Sequence, residues 1–138
     1  MKRLLVVLIA LLLASCGTTT NSSIAGCYSY VEGDIPQIRI TELEQRYFVS
    51  VWQNNDWVTL YDVFAEASPE QIRYYMGDQA DKIERGYALP RSPVGLFIPK
   101  AGETITVQDR QMDAPYYIAF YEYFGTGYQS DCRAGLFN

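Results

Sequence analysis

The sequence predicts an α+β domain: a curved antiparallel sheet or small open barrel with one helix at about residues 69–85. Three observations lead there. Short segments rich in aromatic and β-branched residues recur between turn-forming residues, before and after one stretch with helical spacing. Strands and helices do not alternate, so βαβ units are not indicated and antiparallel pairing is favoured. No internal repeat and no second linker interrupts residues 24–138, which form a single domain.

Each element has its own signal. Gly26-Cys27-Tyr28-Ser29-Tyr30 reads as the first strand, and Glu32-Gly33-Asp34 is turn chemistry. Residues 37–41 alternate polar and apolar, as a half-buried strand does. Residues 46–53 and 57–64 are both rich in strand formers, and the polar link Asn54-Asn55-Asp56 between them is the strongest hairpin signal in the chain. On the second of these strands Val58, Leu60 and Phe64 share a face. Ser68-Pro69-Glu70-Gln71 has the spacing of a capping box with proline in the first turn. Ile72, Tyr75, Met76, Ala80 and Ile83 continue at three-to-four spacing, and Gly86 supplies a stop. Gly77 inside this helix costs about 1 kcal/mol relative to alanine and marks a close contact or a break. Pro90 and Pro93 bridge to a short strand at 95–98 that Pro99 stops. Residues 100–103 make a turn and 104–107 alternate. Residues 116–124 read as the longest strand, ended by Gly125-Thr126-Gly127, and 128–133 bring Cys132 back toward Cys27.

The N-terminus specifies an address. Lys2 and Arg3 precede an unbroken apolar run at 4–13, then Ala14, Ser15 and Cys16. This is the layout of a secretory signal and is too short for a spanning helix. Leu13-Ala14-Ser15-Cys16 resembles the lipobox of bacterial lipoproteins, a likeness confined to residues 1–17. It implies that residues 1–15 are removed, that Cys16 carries a diacylglycerol, and that its new amine is acylated. Gly17, in place of the aspartate of inner-membrane retention, implies the outer membrane if the host is Gram-negative. The lipid on Cys16 then makes the membrane a partner, facing the periplasm or the cell surface. Two or three acyl chains give a stable anchor where one gives marginal binding. Residues 16–23 are the lipidated N-terminus and a small, polar tether, and seven extended residues reach roughly 25 Å.

Removing Lys2 and Arg3 from the eleven basic residues leaves nine against sixteen acidic, a net of −7. No basic run survives, which argues against nucleic acid and anionic lipid surfaces as electrostatic partners. With Cys16 acylated, Cys27 and Cys132 remain in an oxidising compartment, where pairing is expected over two separate buried thiols. The chain contains no histidine. This excludes Ser-His and Cys-His nucleophiles and removes the commonest zinc ligand. No catalytic residue, cofactor or metal site is expected.

Two further features bear on function. Gly26-Cys27-Tyr28 on a first strand, with Arg133 after a last one, resembles the Gly-x-Trp and late arginine of lipocalin-type barrels, with tyrosine in place of tryptophan. That likeness implies a lipocalin-like β-barrel as the alternative fold. Alternation on the last long strand puts Tyr117, Tyr121 and Tyr123 on one face, and Ile118, Phe120 and Phe124 on the other. Tyrosine combines rigid apolar area with a hydroxyl, which suits interfaces and pockets. The expected binding face is Tyr117, Tyr121 and Tyr123 with Trp52 or Trp57; the competing expectation is that the helix covers the tyrosines as core. The function expected is a non-catalytic, outer-membrane-anchored binding module for an envelope protein or a small apolar or glycan ligand. A structural subunit of an envelope assembly and a carboxylate-dependent hydrolase are the rival readings.

Overall fold

A computed structural model describes residues 22–133. The signal segment, the lipobox Cys16 and the tether up to residue 21 lie outside the described residues. The strands are β1 (Gly26–Ser29), β2 (Ile38–Leu43), β3 (Arg46–Gln53), β4 (Asp56–Glu66), β5 (Ile83–Ala88), β6 (Val94–Pro99), β7 (Ile105–Val107), β8 (Arg110–Met112), β9 (Tyr116–Phe120) and β10 (Tyr123–Ser130), with helix α1 (Pro69–Met76) between β4 and β5. β7 and β8 form a separate hairpin, and the other eight strands close into an antiparallel barrel ordered β1-β10-β9-β6-β5-β4-β3-β2. Each barrel strand therefore pairs with its neighbour along the chain, and β1 pairs with β10, an up-and-down barrel in which β4 meets β5 at two positions only.

Turn chemistry sets this register. Glu44-Gln45, Asn54-Asn55 and Gln108-Asp109 each place two successive residues at positive φ, the pattern of the two-residue hairpin turn whose twist matches the flanking strands. In the β3–β4 link, Asp56 belongs to the strand, so the loop is two residues and not three. Alternation then divides the side chains. Tyr28, Ile38, Ile40, Val49, Phe64, Tyr87, Leu96 and Ile118 pack inside the barrel. Met76, Phe97, Ile105, Ala114, Tyr117 and Ala119 form a second cluster outside it, where α1 and the β7–β8 hairpin cover the sheet. Tyr117 is fully buried there. Its hydroxyl donates to the Met112 carbonyl at 2.5 Å and accepts from the Ile105 N–H at 3.3 Å, tying the hairpin to the barrel. Tyr117→Phe leaves both groups without that partner. The expected loss is about 1–3 kcal/mol in urea unfolding, and an unchanged midpoint would contradict the tie.

Three expectations need correction. The helix ends at Met76, not near 85, because Gly77 takes φ 56 as its C-cap. A 3-10 turn follows over Gly77–Lys82, and Ile83 onward is strand. Gly86 is no helix stop; it lies in β5, where a Cβ would meet the Phe97 ring at 2.8 Å. The capping box itself is present, with Ser68 and Gln71 bonding reciprocally and Pro69 in the first turn. The long final strand is two strands, because the chain reverses at Tyr121, whose φ is 52 and whose N–H donates to the Pro93 carbonyl at 2.8 Å. Gly125-Thr126-Gly127 sits inside β10. The small antiparallel barrel is present as expected, closed rather than open, and with one short helix the fold is mostly antiparallel sheet.

Cys27 and Cys132 form a disulfide, with Cα atoms 5.1 Å apart. It links β1 to the segment just after β10, across the seam that closes the barrel.

Burial also sets the alkaline limit of the fold. Loss of water, with Tyr123 nearby, pushes the Tyr30 hydroxyl up to about 12. Burial likewise raises Tyr28, Tyr75, Tyr87, Tyr117 and Tyr123. In the unfolded chain such groups lose their protons near pH 10. The folded state holds more protons above that pH, so stability is complete below it and falls as pH rises from 10 toward 12. Tyrosinate absorbance and loss of circular dichroism should rise together in that window. Full ionisation with the dichroism intact would contradict this.

Candidate functional site

Among the described residues, the barrel interior is closely filled where its core side chains meet. Its void, bounded by Ile38, Val49, Phe64, Leu96 and Ile118 among others, is about 10 Å³, at the lower limit for one water. Two glycines of β10 explain the filling. A Cβ on Gly125 would meet the Tyr123 ring at 2.7 Å, and one on Gly127 would meet Ile118 at 2.6 Å. Large side chains thus lie over both positions and occupy the space a ligand would need.

The outside is unequal. α1 and the β7–β8 hairpin pack on the β5-β6-β9-β10 side, whereas the outward residues of β2, β3 and β4 form a trough of about 340 Å³. Its floor is Ser50 opposite Thr59, with hydroxyls 2.9 Å apart. Thr41, Leu43, Phe48 and Tyr61 line one part and Arg39 another; Tyr61 is 92% exposed. Beyond Arg39, Trp52 and Trp57 stand directly opposite each other on the hairpin, edge to face at 5.2 Å. The Arg39 guanidinium lies 4.8 Å over the Trp57 ring, an electrostatic attraction to its π face. Its Nε is buried without a hydrogen-bond partner among the described residues, which costs about 1–3 kcal/mol. Tryptophan, tyrosine and arginine are the residues enriched at the energetic centres of protein interfaces; the serine, threonine and leucine of the trough are not.

The sequence-expected binding residues are not brought together. Trp52 and Trp57 are paired beside the trough. Tyr117 is on the covered side of the barrel. Tyr123 pairs with Phe120 and so shares the inward face, stacking on Tyr30 at 4.2 Å. Tyr121 is in the β9–β10 turn, half exposed. Phe124 lies opposite Ala119, on the face of Tyr117. The tyrosine face assumed one continuous strand, and the reversal at Tyr121 swaps the sides after it. Arg39, Phe48, Thr59 and Tyr61 were missed. The alternation that turns Val58, Leu60 and Phe64 inward also turns Trp57, Thr59 and Tyr61 outward, and that signal was readable.

Among the described residues no group of three or more cysteine, aspartate or glutamate side chains is arranged to hold a metal ion. No helix among them is long and apolar enough to cross a membrane. The site and fold define a closed up-and-down β-barrel with one aromatic sheet face that no element among the described residues covers. Comparison with protein-family models, curated proteins and solved structures finds no match for this chain.

Proposed function

We propose that this protein is a lipid-anchored module of the bacterial outer membrane that binds an envelope protein and does no chemistry of its own. The observation that carries the reading is the contrast, among the described residues, between a filled interior and an uncovered outer face on β2–β4. A carrier needs a chamber of about 300 Å³ or more, and the void here is about 10 Å³. The lipocalin-type likeness of Gly26-Cys27-Tyr28 and Arg133 therefore lends the barrel but not a carrier's cavity. Tyr28 is itself buried, its hydroxyl donating to the Ile24 carbonyl at 2.7 Å.

The lipobox supports the anchor. Cys16→Ser should abolish metabolic labelling with palmitate and move the protein from the membrane to the soluble fraction; labelling retained by that variant would refute the anchor. For the binding face, a photo-crosslinking amino acid is placed at Tyr61 in the full chain within living cells, and for comparison at Tyr74, which is also exposed but sits on α1. The expected result is one discrete protein adduct at Tyr61, lost on Trp57→Ala and absent at Tyr74. Adducts of equal yield at both positions, or a carbohydrate adduct at Tyr61, would overturn the proposed partner.

A further inference from the structure

β4 is eleven residues long, and only its last two, Ala65 and Glu66, pair with β5. Its opposite edge pairs with β3 from Gln53–Asp56 to Val49–Leu60 and again at Tyr47–Phe64, with a register shift between them that falls at Tyr61–Val63. From Asp56 to Phe64, the edge facing away from β3 therefore meets no strand among the described residues. Every other barrel seam has at least three paired positions. The cause lies at the end of β5. Gly86 and Ala88 turn their backbone groups toward β4, while Leu89 continues the β5–β6 ladder by donating to the Val94 carbonyl at 3.0 Å. The next position that would face β4, opposite Val63, is Pro90, which has no N–H to offer.

We propose that this free edge of β4 receives an extended, cationic segment of the partner protein as an added strand. The inference rests on the reading of β2–β4 as the recognition face and names the chemistry of the segment that binds there. A row of unpaired N–H and C=O groups is satisfied by another polypeptide backbone. Asp56 and Asp62 stand toward the two ends of the free stretch, and no lysine or arginine lies anywhere in β4. The same charges oppose pairing with a second copy. In a two-fold antiparallel pair centred on Thr59, Asp56 of each chain would face Asp62 of the other, and like charges directly opposite destabilise a sheet. A segment with lysine or arginine at those places gains where a second copy loses. Val58 is 44% exposed beside this edge, leaving apolar area for the middle of the segment to cover. The added strand would also lie next to Trp57, Thr59 and Tyr61, extending the trough by one strand.

The probe is a fluorescein-labelled peptide, Lys-Thr-Val-Thr-Val-Thr-Lys, titrated onto the full chain in detergent. Two control peptides carry glutamate at both ends or proline at the centre. The lysine peptide is expected to bind about tenfold more tightly than either, and to slow hydrogen exchange within residues 57–64. Asp56→Asn with Asp62→Asn should remove the preference for lysine over glutamate; asparagine keeps the side-chain oxygen that accepts from the Trp57 N–H. Absence of binding, equal binding of the proline peptide, or binding without protection in β4 would each overturn the inference. If the peptide fails while the Tyr61 adduct forms in cells, the edge inference falls alone. If the Tyr61 adduct is missing, the reading of the face falls with it.

Discussion

Replacing Cys27 and Cys132 together by alanine should lower stability by roughly 4–5 kcal/mol in the chain-entropy account of a cross-link. The two residues are 105 apart in sequence, so the reduced unfolded chain regains the freedom of almost the whole domain. The position magnifies the consequence. β1 pairs with β10 at three positions only, and the disulfide sits at that short seam. Urea unfolding of the oxidised protein and of the double variant measures the difference. A shift below about 1 kcal/mol would mean that the unfolded state is already constrained near its ends.

The second large effect is expected at Phe97. Its side chain is fully buried on the outer side of β6, and its ring occupies the space above two glycines. A Cβ on Gly95 would meet it at 2.7 Å and one on Gly86 at 2.8 Å. Tyr75 of α1 closes over it at 5.1 Å between ring centres. Phe97→Ala removes the ring that joins helix to barrel and should cost about 3–5 kcal/mol. Gly95→Ala tests the same contact from the other side, since the ring has no free direction in which to retreat. It should cost about 1–3 kcal/mol by overpacking. If Gly95→Ala is neutral, the ring is not held as described.

Local chemistry was legible in the sequence, and long-range closure was not. The β3–β4 hairpin was readable because Asn54 and Asn55 tolerate the positive φ that its turn requires. The helix start was readable because Ser68 and Gln71 form a motif within four residues. The helix end was misplaced, since Ile83 continues the apolar spacing of α1 although it lies in β5; period alone cannot tell the last turn of a helix from the first residue of a strand. The reversal at Tyr121-Glu122 carries no glycine or asparagine. It is held by the Tyr121 N–H on the Pro93 carbonyl, a contact 28 residues away in sequence that no local pattern announces. The β7–β8 hairpin was half seen: β7 and β8 are both three residues long, but Ile105 and Val107 alternate whereas Arg110-Gln111-Met112 does not. At the candidate site, Trp52 and Trp57 were visible by type. Their joining with Arg39 depends on the β2–β3 register, which pairing and not composition determines.

The central claim is that recognition occurs outside a filled barrel. Native mass spectrometry of the Cys16→Ser protein, recovered gently from the periplasm, tests it most directly. The account predicts the mass of the chain alone, two hydrogens lighter than its reduced form. A small molecule retained in stoichiometric amount, and lost when Leu96 or Ile118 is enlarged, would show that the interior opens to a ligand and would contradict the account.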